Sequence, residues 1–146
     1  MNCIVRDFDA ADAEALHQIE LSCFTSPWSL AQFECIHKCD YAHFSVCEFD
    51  GVTVGFSGIY CLGDAELVNI AVLPEYRGKG IGKLLLSHSL QKAKELGCEN
   101  MLLEVRRSND NAIKLYESFG FIKISERKRY YADPVEDALV MIKEQI

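Results

Sequence analysis

No apolar run in this chain approaches the ~20 residues that a membrane-crossing helix needs. Nor does the opening stretch, with Arg6, Asp7, Asp9, Asp12 and Glu14, read as a signal peptide. Positive charge is scarce: 15 Lys and Arg face 22 Asp and Glu, a net charge of −7. That balance disfavours non-specific contact with nucleic acid and favours basic partners. A disulfide framework is missing as well. The seven cysteines are an odd number without paired spacing, so free thiols in a reducing cytoplasm are expected. Cys35, His37, Cys39 and His43 cluster, but no second Cys-x-x-Cys accompanies them, and on a helix His37 would leave the face shared by Cys35 and Cys39. They read as packing and surface residues, and no metal is expected. Repeats, low-complexity tracts and interdomain linkers are absent, so the 146 residues predict one domain large enough to bury a core.

What is present centres on residues 67–86. Residues 67–73 read as a buried strand, closed by Pro74, which cannot continue a central ladder. Then come Arg77, Gly78, Lys79, Gly80, Ile81, Gly82 and Lys83, opening an apolar-periodic helix. Glycines let backbone N–H groups approach a ligand closely. The first helical turn leaves its N–H groups unpaired and carries a positive partial charge. A strand, a glycine-rich turn and a helix start therefore make an anion seat, most often for phosphate. Two nucleotide signatures fail on spacing. A P-loop needs Ser or Thr after its lysine, but Leu84 follows Lys83; a dinucleotide fingerprint needs Gly-x-Gly-x-x-Gly, but Gly78, Gly80 and Gly82 are evenly spaced. The pattern that remains is Arg-x-x-Gly-x-Gly at Arg77, Gly80 and Gly82.

Around this centre, residues 3–8 predict a strand, and Asp9 an N-cap for a helix over 10–22 with Leu16, Ile19 and Cys23 on one side. Pro27 breaks that helix, and Ser29 caps a second carrying Leu30, Phe33 and Ile36. Trp28 between them is either a core anchor or a wall of a substrate cleft. Residues 42–49 and 52–60 predict strands joined by an Asp50-Gly51 hairpin, and residues 61–64 turn the chain into 65–73. The helix over 80–96 buries Leu85, Leu86, Leu90, Ala93 and Leu96 at three-and-four spacing, and Gly97 ends it. His88 falls toward its polar side. A strand over 100–105 follows; strand, helix and strand of these lengths imply a parallel pair with a crossover helix. A short helix spans 109–119, capped by Ser108 or Asn109 and stopped by Gly120. Residues 121–126 and 138–142 predict a final antiparallel pair, with 127–137 as a linker.

The run around the short helix carries the second signal. Glu104 interrupts an apolar strand, and a buried carboxylate is costly without a partner or a task. Ala112, Tyr116 and Phe119 share one helix face. Asn109, Ala112, Tyr116, Gly120 and Phe121 form Asn-x-x-Ala-x-x-x-Tyr-x-x-x-Gly-Phe, about thirty residues beyond Arg77. Together the two motifs resemble the paired signatures of the GCN5-related N-acetyltransferases, the GNAT family. The resemblance covers nearly the whole chain. Three runs (24–29, 103–106, and Tyr130-Tyr131 with 136–138) are similar to the branch that acetylates the N-terminal alanine of a small-subunit ribosomal protein.

The resemblance implies an α/β chain: a mixed central sheet with antiparallel N-terminal strands, a splayed parallel pair around 67–73 and 100–105, and flanking helices. Acetyl-coenzyme A would lie in the splay. Backbone groups of Ile70, Ala71 and Val72 would pair with its pantetheine arm, amides from Arg77 through Gly78, Lys79, Gly80, Ile81 and Gly82 to Lys83 would hold its pyrophosphate, and Asn109 would touch it from the facing helix. Glu104 is the implied general base and Tyr116 the implied general acid. Glu66, one strand away, is the rival base or a cleft-lining charge. Trp28, Tyr130 and Tyr131 would clamp a basic protein N-terminus. Attack would be direct, because no cysteine has a His–acid pair at a recognisable spacing. The alternatives are acetylation of a small amine, such as a polyamine or amino acid, and a coenzyme A-binding module without catalysis.

Overall fold

A computed structural model of the protein describes residues 2–146. Its strands are β1 (Cys3–Asp7), β2 (Ala42–Phe49), β3 (Val52–Leu62), β4 (Asp64–Val72), β5 (Met101–Arg106), β6 (Ile122–Ala132) and β7 (Val135–Lys143). Its helices are α1 (Ala13–Cys23), α2 (Leu30–Glu34), α3 (Ile81–Glu95) and α4 (Asp110–Ser118). The strands form one sheet in the order β1-β2-β3-β4-β5-β7-β6. Every neighbouring pair is antiparallel except β4–β5. The mixed sheet, the antiparallel N-terminal strands and the single parallel pair are those expected from the sequence.

Local chemistry sets the boundaries. Asp50 and Gly51 both take positive φ, at 51° and 84°, the geometry of the tight β2–β3 hairpin. The helix foreseen over 10–22 is two pieces: Asp9 and Asp12 form a capping box around a single 3₁₀ turn, and α1 starts behind it. Ser29 and Gln32 build a second box at α2. Gly97 and Gly120, at φ 86° and 93°, end α3 and α4.

Two apolar layers enclose the sheet. On one face Leu16 and Ile19 of α1 and Phe33 of α2 pack on Phe44, Phe56 and Ala71. On the other, α3 lays Ile81 and Leu85 over Cys47 and Val54, and further along Leu86 and Ala93 over Leu67, Met101 and Leu103. Tyr116 of α4 joins this second layer. Phe44 and Gly58 face each other across β2–β3, and a Cβ on Gly58 would fall 2.2 Å from the Phe44 ring.

Two further expectations change. Leu96 is 47 % exposed, because α3 ends at Glu95 and Leu96 turns outward as the C-cap. The buried polar position on that helix is Ser89, whose hydroxyl lies 2.7 Å from that of Ser57. Residues 127–137 are no linker: β6 runs on to Ala132, so Tyr130 and Tyr131 stand on a strand. The ladder is irregular between Arg127 and Tyr131, with Arg129 at φ 52°. Asp137 accepts the Arg129 N–H at 2.9 Å and so replaces the missing strand partner.

Candidate active site

The site begins where β4 and β5 part. Their parallel ladder has three residue pairs, Ala65 with Met101, Glu66 with Leu102 and Leu67 with Leu103. At that point β4 carries a bulge, since Leu67 faces Ile59 and Asn69 faces Gly58, leaving Val68 extra. Bulges bend a strand and raise its twist, so β4 swings away while β5 stays with β7 through Arg106. A slot opens between them. The Leu73 N–H donates to Val54 of β3. By alternation Ala71 turns its backbone groups to β3 as well, and those of Ile70 and Val72 face the slot.

At the slot's end, Gly78 and Gly80 take φ 77° and 82° with open space where a Cβ would stand. The first bond inside α3 runs from the Leu84 N–H to the Gly80 carbonyl. The N–H groups of Ile81, Gly82 and Lys83 thus have no acceptor within the helix, and Lys79 and Lys83 are exposed beside them. The Arg77 guanidinium turns inward: its Nε donates to the Val72 carbonyl at 3.0 Å and its Nη2 reaches the Cys23 sulfur at 3.4 Å. Arg77 therefore fastens the loop to β4 and α1. Opposite, the Asn109 side chain caps α4 by accepting the Ala112 N–H at 3.3 Å; its amide nitrogen keeps its donors.

Alternation along β5 divides the named acid–base residues. Met101, Leu103 and Val105 are buried under α3 and α4 together with Tyr116. Leu102, Glu104 and Arg106 face the other way. There a cleft of about 250 Å³ is lined by Tyr60, Asp64, Glu66, Glu104 and Arg127 among others. The structure thus brings Glu66 and Glu104 into one cleft and places Tyr116 on the reverse face of β5. One oxygen of Glu104, Oε2, is buried without a hydrogen-bond donor. Arg127 Nε stands 2.9 Å from it, off the line of a hydrogen bond, so the contact is purely ionic. Burial pushes the Tyr116 phenol above the usual tyrosine range, and Tyr131 adds to the shift. Burial and then the Glu104 charge push Tyr131 up to about 12 and raise Tyr130 as well. These phenols stay protonated at neutral pH.

The tyrosines hold their places through Arg106. It lies 4.4 Å from the Tyr131 ring centroid, donates to the Asp133 and Pro134 carbonyls, and pairs with Glu136 at 3.2 Å. Thr25, from the loop after α1, also bonds to the Asp133 carbonyl. Trp28 packs 5.3 Å from Phe33 and 5.6 Å from Phe44. Its ring packs against the core, and Trp28 is not among the residues that line the cleft.

Sequence reasoning missed Glu20 and Arg127. Glu20 is 2 % exposed, and its carboxylate accepts from the Trp28 N–H at 2.9 Å and from Asn69 at 2.8 Å. It ties α1, the Trp28 loop and the β4 bulge together. A signal was available, because Glu20 falls in the apolar stripe of Leu16, Ile19 and Cys23. Arg127 sits in the charged run Glu126-Arg127-Lys128-Arg129, which carries no such signal. Among the described residues, no three His, Cys, Asp or Glu side chains gather to hold a metal, and no helix is long and apolar enough to cross a membrane. All seven cysteines are unpaired.

Comparison with known proteins meets this geometry independently. Residues 13–121 match the model of the acetyltransferase (GNAT) family. The [ribosomal protein bS18]-alanine N-acetyltransferase of Haemophilus influenzae is 38 % identical over 142 residues, 94 % of this chain and 96 % of its own. A Bacillus subtilis protein, provisionally named for the same activity, is 41 % identical over 140 residues, 94 % of this chain and 92 % of its own. The crystal structure of the ribosomal-protein-S18-alanine N-acetyltransferase from Escherichia coli superposes with a TM-score of 0.90 at 32 % identity, covering 99 % of this chain and 94 % of that one. The slot between two parting strands, the glycine turn at the start of α3 and the matched sequence all lead to one conclusion: this chain belongs to the GNAT family and is an N-acetyltransferase.

Proposed function

We propose that the chain, acting as a single catalytic domain in the cytoplasm, acetylates the N-terminal alanine of ribosomal protein bS18, with acetyl-coenzyme A as donor. The observation that carries the donor site is the slot itself. Its wall offers the backbone groups of Ile70 and the N–H of Val72 to an extended amide-bearing arm. Its end offers the unpaired N–H groups around Gly80 to Lys83 to a diphosphate. Asn109 contributes its free amide from the facing helix. Bound there, acetyl-coenzyme A supplies an activated acetyl thioester. The acceptor comes from the relatives' names together with the acidic cleft, which suits a basic peptide end.

The amine must be neutral to attack. An α-amine has a pKa of about 7.7–8.0 against about 10.4 for lysine, so its deprotonation at pH 7 costs about 1 kcal/mol rather than roughly 4.6. One carboxylate is then sufficient base. Glu104 takes that proton, directly or through one water, its unsatisfied Oε2 being the acceptor. Tyr116, protonated on the reverse face, donates to the departing sulfur. Glu66 lines the same cleft and holds the acceptor's charge, while Tyr130 and Tyr131 border it. The test is to incubate the protein with acetyl-coenzyme A and peptides of bS18 sequence beginning with alanine or another residue, following thiol release. Preferential turnover of the alanine peptide, acetylated at its α-amine, supports the reading; equal turnover of free polyamines or amino acids would replace it with small-amine acetylation.

A further inference from the structure

The contact between Arg127 and Glu104 differs from the other ion pairs of the β6–β7 hairpin. Arg106 is fixed by two carbonyls, a carboxylate and a stacked ring. Lys128 reaches both Glu126 and Asp137. Among the described residues, Arg127 has only Glu104, with its guanidinium 5.6 Å from the centroid of the Tyr130 ring. Its side chain is 59 % exposed, whereas that of Glu104 is 19 % exposed. Arg127 is also the last residue in register before the irregular stretch of β6. The cleft floor holds Asp64, Glu66 and Glu104 with this one cation among its lining residues. And the one cation fails to satisfy Glu104, since Oε2 lacks a hydrogen bond.

We propose that Arg127 is a placeholder for the acceptor's α-ammonium: it neutralises Glu104 while the cleft is empty and is displaced when a peptide N-terminus enters. The inference rests on the reading of the Glu104 face as the acceptor side. An ammonium carries the same charge in a smaller volume, with three rotatable donors. It can therefore point a straight N–H at Oε2, which the planar guanidinium, offered here through Nε, does not. Arg127 is then a specificity residue. An uncharged or blocked peptide end cannot replace the ion, so it leaves Arg127 on Glu104 and has to bind beside that pair. It also speeds product departure, because the acetylated product has lost the charge that held Arg127 away.

The test is a binding comparison in the presence of coenzyme A, which lacks the acetyl group and so allows no turnover. The probes are an alanine-initiated bS18 peptide and the same peptide N-acetylated. Removing an internal competitor raises apparent affinity by the inverse of the competent fraction. Arg127→Gln is expected to bind the free-amine peptide roughly two- to ten-fold more tightly than the unaltered protein. The acetylated peptide should bind no more tightly, and in a Glu104→Gln background the gain should vanish. Arg127→Met, which keeps an apolar stem beside Tyr130, repeats the comparison should the glutamine variant fold poorly. Unchanged or weaker binding of the amine peptide in both variants overturns the proposal, as does an equal gain for the acetylated peptide. The base assignment is judged separately by the kcat of Glu104→Gln, which these binding measurements do not use.

Discussion

Glu104 and Tyr116 lie on opposite faces of β5, one toward the cleft and one beneath α3 and α4. In the proposed mechanism that division lets one strand serve an incoming amine on one side and a leaving sulfur on the other. Tyr116→Phe is expected to lower kcat by about 10²-fold or more without changing acetyl-coenzyme A binding. Because burial raises the Tyr116 phenol, the pH profile of kcat should show no alkaline loss from this residue below about pH 10. Glu20 gives a stability test with a definite sign. Burial, its largest cause, raises the Glu20 carboxyl above the ordinary range despite its two donors. A raised carboxyl binds more protons folded than unfolded. Its stabilising contribution is therefore complete below its unfolded value of about 4.3 and falls as pH rises through the folded one. Glu20→Gln can keep only one of the two accepted bonds, at a cost of about 1–3 kcal/mol. Denaturant melts should show that cost shrinking between pH 4 and neutrality; a cost that grew over that span would contradict the assignment. At this scale the placing of Glu104 on a strand and Tyr116 on a helix was legible, Glu104 as the charge that interrupts an apolar run and Tyr116 from its motif spacing. Arg127 was not, because a charged residue on an outer strand looks like any solvated residue.

The bulge at Val68 organises the elements. It bends β4 off β5 and turns Ile70 and Val72 toward the slot, while Asn69 drops onto Glu20. The sequence shows a strand, a glycine turn and a helix there. It does not show the bulge, because an extra residue in a mostly apolar run leaves no break in pattern. The β6–β7 hairpin was misread for a related reason. Residues 126–129 are all charged, and what holds them as a strand is pairing with β7, including Asp137, and the contact of Glu126 with Arg107 just beyond β5. Glycine positions give sharper tests. Gly80→Val forces a β-branched residue to φ 82° in otherwise open space, so the cost is backbone strain of at least about 1–2 kcal/mol. Calorimetric titration should show coenzyme A affinity falling with it, since the N–H groups after Gly80 would lose their aim. Gly58→Ala acts by packing instead: the new methyl would overlap the Phe44 ring, and an overpacked core loses about 1–3 kcal/mol. A thermal melt unchanged by Gly58→Ala would show that the ring can move aside freely.

For the molecule as a whole, the proposed function makes the net charge of −7 and the carboxylates of the cleft an attraction for a basic acceptor. Long-range attraction of this kind is screened over about 8–10 Å at physiological salt. The kcat/KM for a basic bS18 peptide should accordingly fall several-fold as salt is raised, chiefly through KM, while the KM for a neutral alanine-initiated peptide changes little. The antiparallel N-terminal strands, the one parallel pair and the antiparallel last pair were readable from element lengths and two spaced motifs, whereas the insertion of β7 between β5 and β6 was not. How far the parallel pair parts was not, because it depends on packing between segments distant in sequence. The most direct measurement is thiol release from acetyl-coenzyme A with an alanine-initiated bS18 peptide, the product located by mass spectrometry, for the unaltered protein and for Glu104→Gln. The unaltered protein should acetylate the α-amine, and the variant should bind coenzyme A as before while kcat drops by about 10²–10⁴-fold. A Glu104→Gln protein that turned the peptide over at the original rate across pH 6–9 would contradict the account.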